Sequence, residues 1–493
     1  MRLPVVLHIV GVILRVFGAI FLAPLAVALL YGEPTDAVGF GLAAVVAGLV
    51  GELMRRAGTL VDDDLHRVEG LAIVAGTWLI VAHVGAVPYY WAGLGPIDAL
   101  FESMSGLTTT GATVFEDFTQ FGYGIYFWRS LSQWLGGMGV IALFVAVLPR
   151  LSIGGRQLFF AEAPGPSDEK LTPQIRKTAV ALWMVYGGLT AVEFVLLMAA
   201  GMSAFEAACH SFTTLAAGGF SPHPLSIMGY ESQAIEWIIV AFMFLAGANF
   251  AVQYRVLRGQ TSAVRDDEEL RVYAVLVVVA GLAVALAIWR TVGSASDAIR
   301  HGLFQTLSIL TTTGYASTDF ELWNDQAKII LFVLMFIGGC AGSAGGGPKV
   351  VRQILIARYT VQELKRTLHP RAVLPVKLGG RVVPDEVMRG VLVFFLFYLL
   401  VFAVCTTIVT LLGTDLLTGM TATIATLGNI GPGFSSVGPM ANFAHLHPVS
   451  KVVLTAAMWI GRLEVLTVLA LLRPEVWKTA RWSTGRPRRP RMG

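Results

Sequence analysis

Four short segments of this chain place a glycine four residues after a leucine: Leu107 to Gly111 in LTTTGAT, Leu215 to Gly219 in LAAGGFS, Leu310 to Gly314 in LTTTGYA and Leu427 to Gly431 in LGNIGPG. The glycines follow one another at intervals of 108, 95 and 117 residues, too even to ignore and too long for a solenoid repeat. The chemistry they offer is coordination by backbone oxygen. A loop that ends a helix inside a bilayer leaves carbonyls without partners. Non-helical backbone at that depth is tolerated only where it is buried in protein or lines a cavity, and glycine takes unusual dihedrals without adding a side chain. Carbonyls aimed at one axis replace the hydration shell of a potassium ion. The expected ligands are the carbonyls of Thr109, Thr110 and Gly111, of Ala217, Gly218 and Gly219, of Thr312, Thr313 and Gly314, and of Asn429, Ile430 and Gly431. The threonine hydroxyls of the two TTTG segments tie those loops to their surroundings.

The elements that position such loops must lie in a membrane. The 493 residues are 55% hydrophobic and 14% charged, against roughly 25% charged in soluble domains. Apolar runs near 5–30, 37–54, 69–91, 124–148, 178–200, 233–254, 271–292, 327–348, 387–412 and 449–472 are each about the 20 residues that a spanning helix needs. The first run is too long and continuous for a cleaved signal peptide. After two leading helices, one pattern recurs four times: a long helix, a short semi-polar helix, the L-x-x-x-G loop and a second long helix. The short helices, near 97–107, 203–215, 296–310 and 415–427, cannot cross the bilayer and are expected to be re-entrant. Asp98 with Glu102, Ser203 with Glu206, Ser296 with Asp297 and Thr414 with Asp415 look like their caps. Their C-terminal, partially negative ends then point towards mid-membrane and stabilise a cation there. The expected fold is an all-α polytopic membrane protein, two N-terminal helices plus four helix–pore-loop–helix repeats around a pseudo-fourfold pore. Its boundaries are 1–68 for the helix pair, 69–148, 149–257, 258–359 and 360–475 for the repeats, and 476–493 for a basic tail.

Charge sets the orientation. The segments 1–4, 55–68, 149–177, 255–271, 349–389 and 473–493 hold 29 of the 36 Lys and Arg, so by the positive-inside rule both termini are cytoplasmic. Carboxylates gather on the other side, among them Glu102, Glu116, Asp117, Glu236, Glu321 and Asp415; they form either a cation-attracting vestibule or an ordinary solubilised rim. Cys209, Cys340 and Cys405 suggest neither a disulfide nor a metal set. No metalloprotease, Walker or nucleophile-elbow signature is present, so nothing points to an enzyme.

Two features lie beyond the loops. Six of the ten residues 338–347 are glycine and Pro348 follows. Each interior glycine costs a helix roughly 0.5–1 kcal/mol, so the helix must break there, leaving an intramembrane loop whose candidate gate residues are Gly342, Ser343, Gly345, Gly346 and Gly347. Arg462 falls 13 residues into the last apolar run, where a charge costs about 2.5–3.5 kcal/mol; its expected partner is a carbonyl of the glycine-rich loop or the pore itself. Glu193 is a second intramembrane charge, read as a structural hydrogen bond or a proton site, and Gln133 and Asn249 are read as interhelical hydrogen-bonding residues.

The four-repeat plan, with FESMSGLTTTGATV and FIGGCAGSAGGGPKVVR, resembles the Trk/Ktr/HKT superfamily of potassium transporters over about residues 5–475, its TrkH/TrkG branch in particular. The resemblance implies selective K⁺ uptake across the cytoplasmic (inner) membrane, assembly as a homodimer, and a peripheral nucleotide-binding TrkA-like subunit. It also implies that the glycine-rich loop is a mobile gate and that Arg462 lines the pore as its latch. Two departures stand out: the second loop has alanines where the first and third have threonines, and the fourth carries Pro432. The alternatives are the potassium-binding subunit of a P-type pump and, from another class, a polytopic membrane enzyme. In plant relatives a serine at the first glycine position goes with sodium permeation. Gly111→Ser is therefore expected to raise Na⁺ permeability, and unchanged K⁺/Na⁺ flux ratios would count against the filter assignment.

Overall fold

The computed structural model describes residues 1–59, 67–147, 171–372 and 374–465, with 468, 471 and 474. The expected cytoplasmic stretch 149–170 and the basic tail 476–493 lie outside them. Among the described residues regular structure is helical, apart from the hairpin of Lys377–Leu378 against Arg381–Val382. Six helices there are long and apolar enough to cross a membrane: Leu3–Leu30, Pro34–Ala57, Val68–Trp91, Ala179–Ala199, Glu268–Val292 and Asp385–Leu411. The expected spans 124–148 and 449–472 correspond to the helices Tyr123–Val147 and Pro448–Arg462.

Two compact units can be distinguished. One comprises residues 1–100 with 122–128 and the described residues after Arg462; the other comprises 101–121 and 129–462. In the first, the leading helices pack at glycine. A β-carbon on Gly11 would lie 2.6 Å from the Gly51 carbonyl oxygen, and one on Gly51 2.8 Å from that of Gly11, so the backbones approach as small residues allow. Glu33 caps the helix that begins at Tyr123, accepting from the N–H groups of Tyr123 (2.8 Å) and Gly124 (3.0 Å).

The second unit contains all four L-x-x-x-G loops. The half-helices are Pro96–Leu107, Ala204–Leu215, Ala295–Leu310 and Leu416–Leu427, each within a residue of its expected bounds. Ser203 and Glu206 form a complete capping box. Asp415 accepts from the Thr418 N–H at 2.9 Å, and the Thr418 hydroxyl and N–H hold its carboxyl below the usual range, so the cap stays charged. Two caps differ from expectation. The third is Ser294, two residues before Ser296, accepting from the Asp297 N–H, and Glu102 does not cap at all.

Glu102 is instead fully buried and paired with Arg129 at 2.8 Å. It also accepts from the Thr113 hydroxyl and the Val114 N–H. Arg129 donates to the Ser221 carbonyl, and its guanidinium lies 4.4 Å from the Phe115 ring and 4.0 Å from that of Phe220. The pair thus joins the first loop to the second. Glu236 is likewise buried against Arg300 at 2.7 Å, so two carboxylates expected on an outer rim are internal struts. Glu116 and Asp117 remain exposed.

The outer helices carry the other corrections. The run 233–254 is not one straight span: Gln233–Gly247 and Phe250–Leu257 are bent by 105°, with Asn249 capping the second piece through the Ala251 N–H rather than bonding between helices. The run 327–348 leaves the helix after Leu334, slightly before the expected break. Arg129→Met, which leaves the Glu102 carboxylate buried without its counter-charge, is expected to cost about 3–5 kcal/mol, and Glu102→Leu/Arg129→Met less than that single change. The order of unfolding temperatures, followed by tryptophan fluorescence, checks this.

Candidate functional site: a ring of backbone carbonyls and its adjoining loop

All four half-helices end alike. The second residue past each helix is left-handed without being glycine: Thr109 (φ 52°), Ala217 (54°), Thr312 (62°) and Asn429 (55°). The following N–H then reaches back five positions: Thr110 to Ser105, Gly218 to Thr213, Thr313 to Ser308 and Ile430 to Ala425, at 2.8–2.9 Å. This is the Schellman closure, which usually takes glycine at the left-handed position. An L-residue there costs roughly 1–2 kcal/mol, and β-branched threonine is an outlier. Such strain persists only where the surroundings over-determine it, commonly at functional sites. One residue intervenes, and the backbone is left-handed again at Gly111 (81°), Gly219 (75°), Gly314 (81°) and Gly431 (103°).

These glycines close a ring. A β-carbon on Gly111 would lie 2.2 Å from the Gly218 carbonyl oxygen, one on Gly219 1.9 Å from that of Thr313, one on Gly314 2.0 Å from that of Ile430, and one on Gly431 2.7 Å from that of Thr110. Loop one meets loop two, two meets three, three meets four, and four returns to one. The twelve expected ligand residues are thereby brought together. Among the described residues, eleven of their twelve carbonyls accept no hydrogen bond; the exception is Gly218, which accepts from Gln133 at 2.7 Å. Since more than 90% of buried carbonyls are paired, this is a concentrated set of free oxygen acceptors. Oxygen is what a hard monovalent cation requires when it sheds water. Gly111, Gly219 and Gly314 keep partial exposure while the residues before them are buried.

Side chains hold the loops. The Thr108 and Thr110 hydroxyls pair at 2.8 Å, as do those of Thr311 and Thr313. Asn429 Nδ2 donates to the Thr110 hydroxyl at 2.9 Å and to the Met458 carbonyl at 3.0 Å. The Tyr315 hydroxyl of the third loop pairs with that of Thr213 on the second half-helix. Gln133, expected to bond another helix, bonds loop backbone instead. The small residues of the outer helices serve close packing: β-carbons on Gly136 and Gly461 would lie 1.9 and 2.0 Å from the Leu107 and Leu427 carbonyl oxygens.

The glycine-rich segment is irregular and lies against the ring. The Gly346 N–H donates to the Thr312 hydroxyl at 2.6 Å, and a β-carbon on Gly345 would lie 2.7 Å from the Thr311 carbonyl oxygen. The segment also repairs the broken helix of the second repeat. Ala344 and Cys340 donate to the Ala246 and Gly247 carbonyls at 3.1 and 2.8 Å, and Phe250 donates to the Gly342 carbonyl at 3.2 Å. The Ser343 hydroxyl turns back to the Cys340 carbonyl, and Gly347 is left-handed (φ 62°).

Two buried cations and a partly buried carboxyl fasten this segment. Arg462 donates to the Ala344 carbonyl at 3.0 Å and to that of Gly136 at 3.4 Å, a partner of the expected kind. Sequence reasoning did not single out Lys349, whose ammonium donates to the Gly345 and Gly346 carbonyls. Nor did it find Glu269, which clips both flanks by accepting from the Ala341 N–H at 2.8 Å and the Val351 N–H at 2.9 Å. Glu193 is fully buried beside Thr214, yet neither oxygen makes a well-formed hydrogen bond, so the structural bond expected of it is not found. The three cysteines are buried and free.

A family model described as TrkH, cation transport protein, matches residues 62–479. The chain is 38% identical to the Trk system potassium uptake protein TrkH of Salmonella typhimurium strain LT2, over 97% of this chain and 100% of the relative. It is 33% identical to the Trk system potassium uptake protein TrkG of Escherichia coli strain K12, over 96% and 99%. The crystal structure of the potassium transporter TrkH from Vibrio parahaemolyticus superposes with a TM-score of 0.89 at 37% identity, covering 97% of this chain and 100% of that one.

The ring's contacts leave no room for a side chain at its glycines. Gly219→Ala is expected to displace the third loop and reduce cation flux at least tenfold, measured in liposomes, whereas Gly76→Ala, with open space around it, leaves flux unchanged.

Proposed function

The chain belongs to the TrkH family of cation transport proteins, and on that premise we propose how it takes up potassium across the membrane. It is a transporter and not an enzyme. The observation that carries the mechanism is the set of carbonyls without hydrogen bonds around the closed glycine ring. A potassium ion entering from the outer side exchanges water for carbonyls of Thr109–Gly111, Ala217–Gly219, Thr312–Gly314 and Asn429–Gly431. Four half-helix C-termini, each equivalent to roughly half a negative charge, favour the cation there. Because the ring is uneven, with two threonine walls, one alanine wall and one proline-bearing wall, its discrimination of K⁺ from Na⁺ is less sharp than that of a symmetric channel.

Past the ring the segment Gly342–Gly347 obstructs the path. Arg462 latches it through the Ala344 carbonyl and adds a positive charge that repels the permeating ion. Opening requires that bond to break. In this reading the protein lies in the cell inner membrane with both termini cytoplasmic, forms a homodimer, and takes its gating signal from a nucleotide-binding TrkA-like subunit on the cytoplasmic face.

Purified protein in liposomes tests this. Wild-type vesicles are expected to pass K⁺ in preference to Na⁺, and Arg462→Ala to raise basal K⁺ flux severalfold. A fall in flux with folding intact would make Arg462 a structural tie, and equal K⁺ and Na⁺ flux in the wild type would remove the selectivity claim.

A further inference from the structure

Between Leu215 and Gly219 the second wall of the ring has no polar side chain. Where the first and third loops carry paired hydroxyls at Thr108 with Thr110 and Thr311 with Thr313, the second has Ala216 and Gly218. Asn429 serves the fourth. The missing polar contacts come from another repeat. Gln133, fully buried on the helix Tyr123–Val147, donates from Nε2 to the Gly218 carbonyl at 2.7 Å and accepts at Oε1 from the Phe220 N–H at 3.1 Å. One amide thus clamps the backbone on both sides of Gly219. The fit is close: a β-carbon on Gly218 would lie 2.4 Å from Gln133 Cδ.

The repeats themselves supply the contrast. With WLGGMGV, FLAGANF, FIGGCAG and WIGRLEV aligned, the residue before each is Gln133, Met243, Met335 and Met458, and all four are buried. Three repeats fill this position with an apolar side chain of nearly the same length. Only the first uses an amide, and it faces the one loop with no hydroxyl or carboxamide between its leucine and its glycine. Shape alone therefore does not call for glutamine; its two hydrogen bonds do.

We propose that Gln133 is a positioning residue that sets the selectivity of the ring. It pins the Gly218 carbonyl against the wall, so that the alanine loop keeps the spacing suited to K⁺ and cannot close around the smaller Na⁺. The inference rests on the carbonyl-ring reading of the preceding section.

The test uses full-length protein in liposomes, with K⁺ and Na⁺ fluxes measured for the wild type, Gln133→Met and Gln133→Leu. The methionine copies the other repeats and keeps volume while removing both hydrogen bonds. The leucine likewise removes both hydrogen bonds, with a shorter apolar side chain. Both variants are expected to retain at least half of the wild-type K⁺ flux and its elution profile, with the K⁺/Na⁺ flux ratio falling threefold or more. A ratio within 1.5-fold of wild type in either folded variant overturns the proposal, as does a loss of flux to both ions with no change in ratio. If Gln133→Met does not fold, the leucine variant decides by the same ratio. A wild type without K⁺ preference overturns the carbonyl-ring reading as well; a selective wild type with equally selective variants overturns this inference alone.

Discussion

The contact on which the rest of the molecule depends is that between a glycine α-carbon and the carbonyl oxygen of the next loop, made four times around a closed circuit. With hypothetical β-carbons only 1.9–2.7 Å from those oxygens, no other residue fits without moving a neighbour. The circuit also explains the strain beside it. Left-handed Thr109, Ala217, Thr312 and Asn429 let each chain leave its half-helix abruptly enough to reach the next loop. The braces around the ring then hold that backbone: the Glu102–Arg129 strut, the threonine hydroxyl pairs, Asn429, Tyr315 and Gln133. Strain in a few residues is balanced by hydrogen bonds from elements distant in the chain.

The same economy of backbone groups links the ring to the glycine-rich segment. The broken helix of the second repeat exposes the Ala246 and Gly247 carbonyls, and the segment from the third repeat supplies the N–H groups that satisfy them. Neither irregularity would be stable alone at membrane depth, where an unpaired polar group costs several kcal/mol. Together they form an interlocked pair held by exchangeable bonds. Arg462 and Lys349 add donors to the carbonyls on the segment's inner turn, and Glu269 adds acceptors at its ends. A segment fastened by carbonyl hydrogen bonds rather than apolar packing can be released by small movements of the helices that carry those side chains.

Much of this was legible in the sequence. The half-helices were placed to within a residue because three local signals coincide: a capping side chain, a run too short to span, and the recurring glycine. A break in the helix of the third repeat was visible in glycine density, although the helix ends at Leu334, four residues before the first glycine of the run. What escaped lies where the partner is remote. Nothing near Asn249 announces a 105° bend, because the N–H groups that permit it come from residues 340 and 344. Glu102 read as a cap since its position suits one, while Arg129, 27 residues on, takes it inward. Gln133 read as one polar residue in an apolar helix; its partners at Gly218 and Phe220 lie 85 and 87 residues away. The left-handed threonines carry no sequence signal, since a Schellman turn ordinarily announces itself by glycine.

In the proposed mechanism, backbone carbonyls of four loops hold the dehydrated ion in one ring. It is tested most directly by a crystal structure of the full chain grown with Rb⁺, a heavier stand-in for K⁺, and examined for anomalous scattering. A peak enclosed by Gly111, Gly219, Gly314 and Gly431, within about 3 Å of carbonyl oxygens from all four loops, is expected. No peak there, or a peak held by side-chain carboxylates away from the loops, would contradict it.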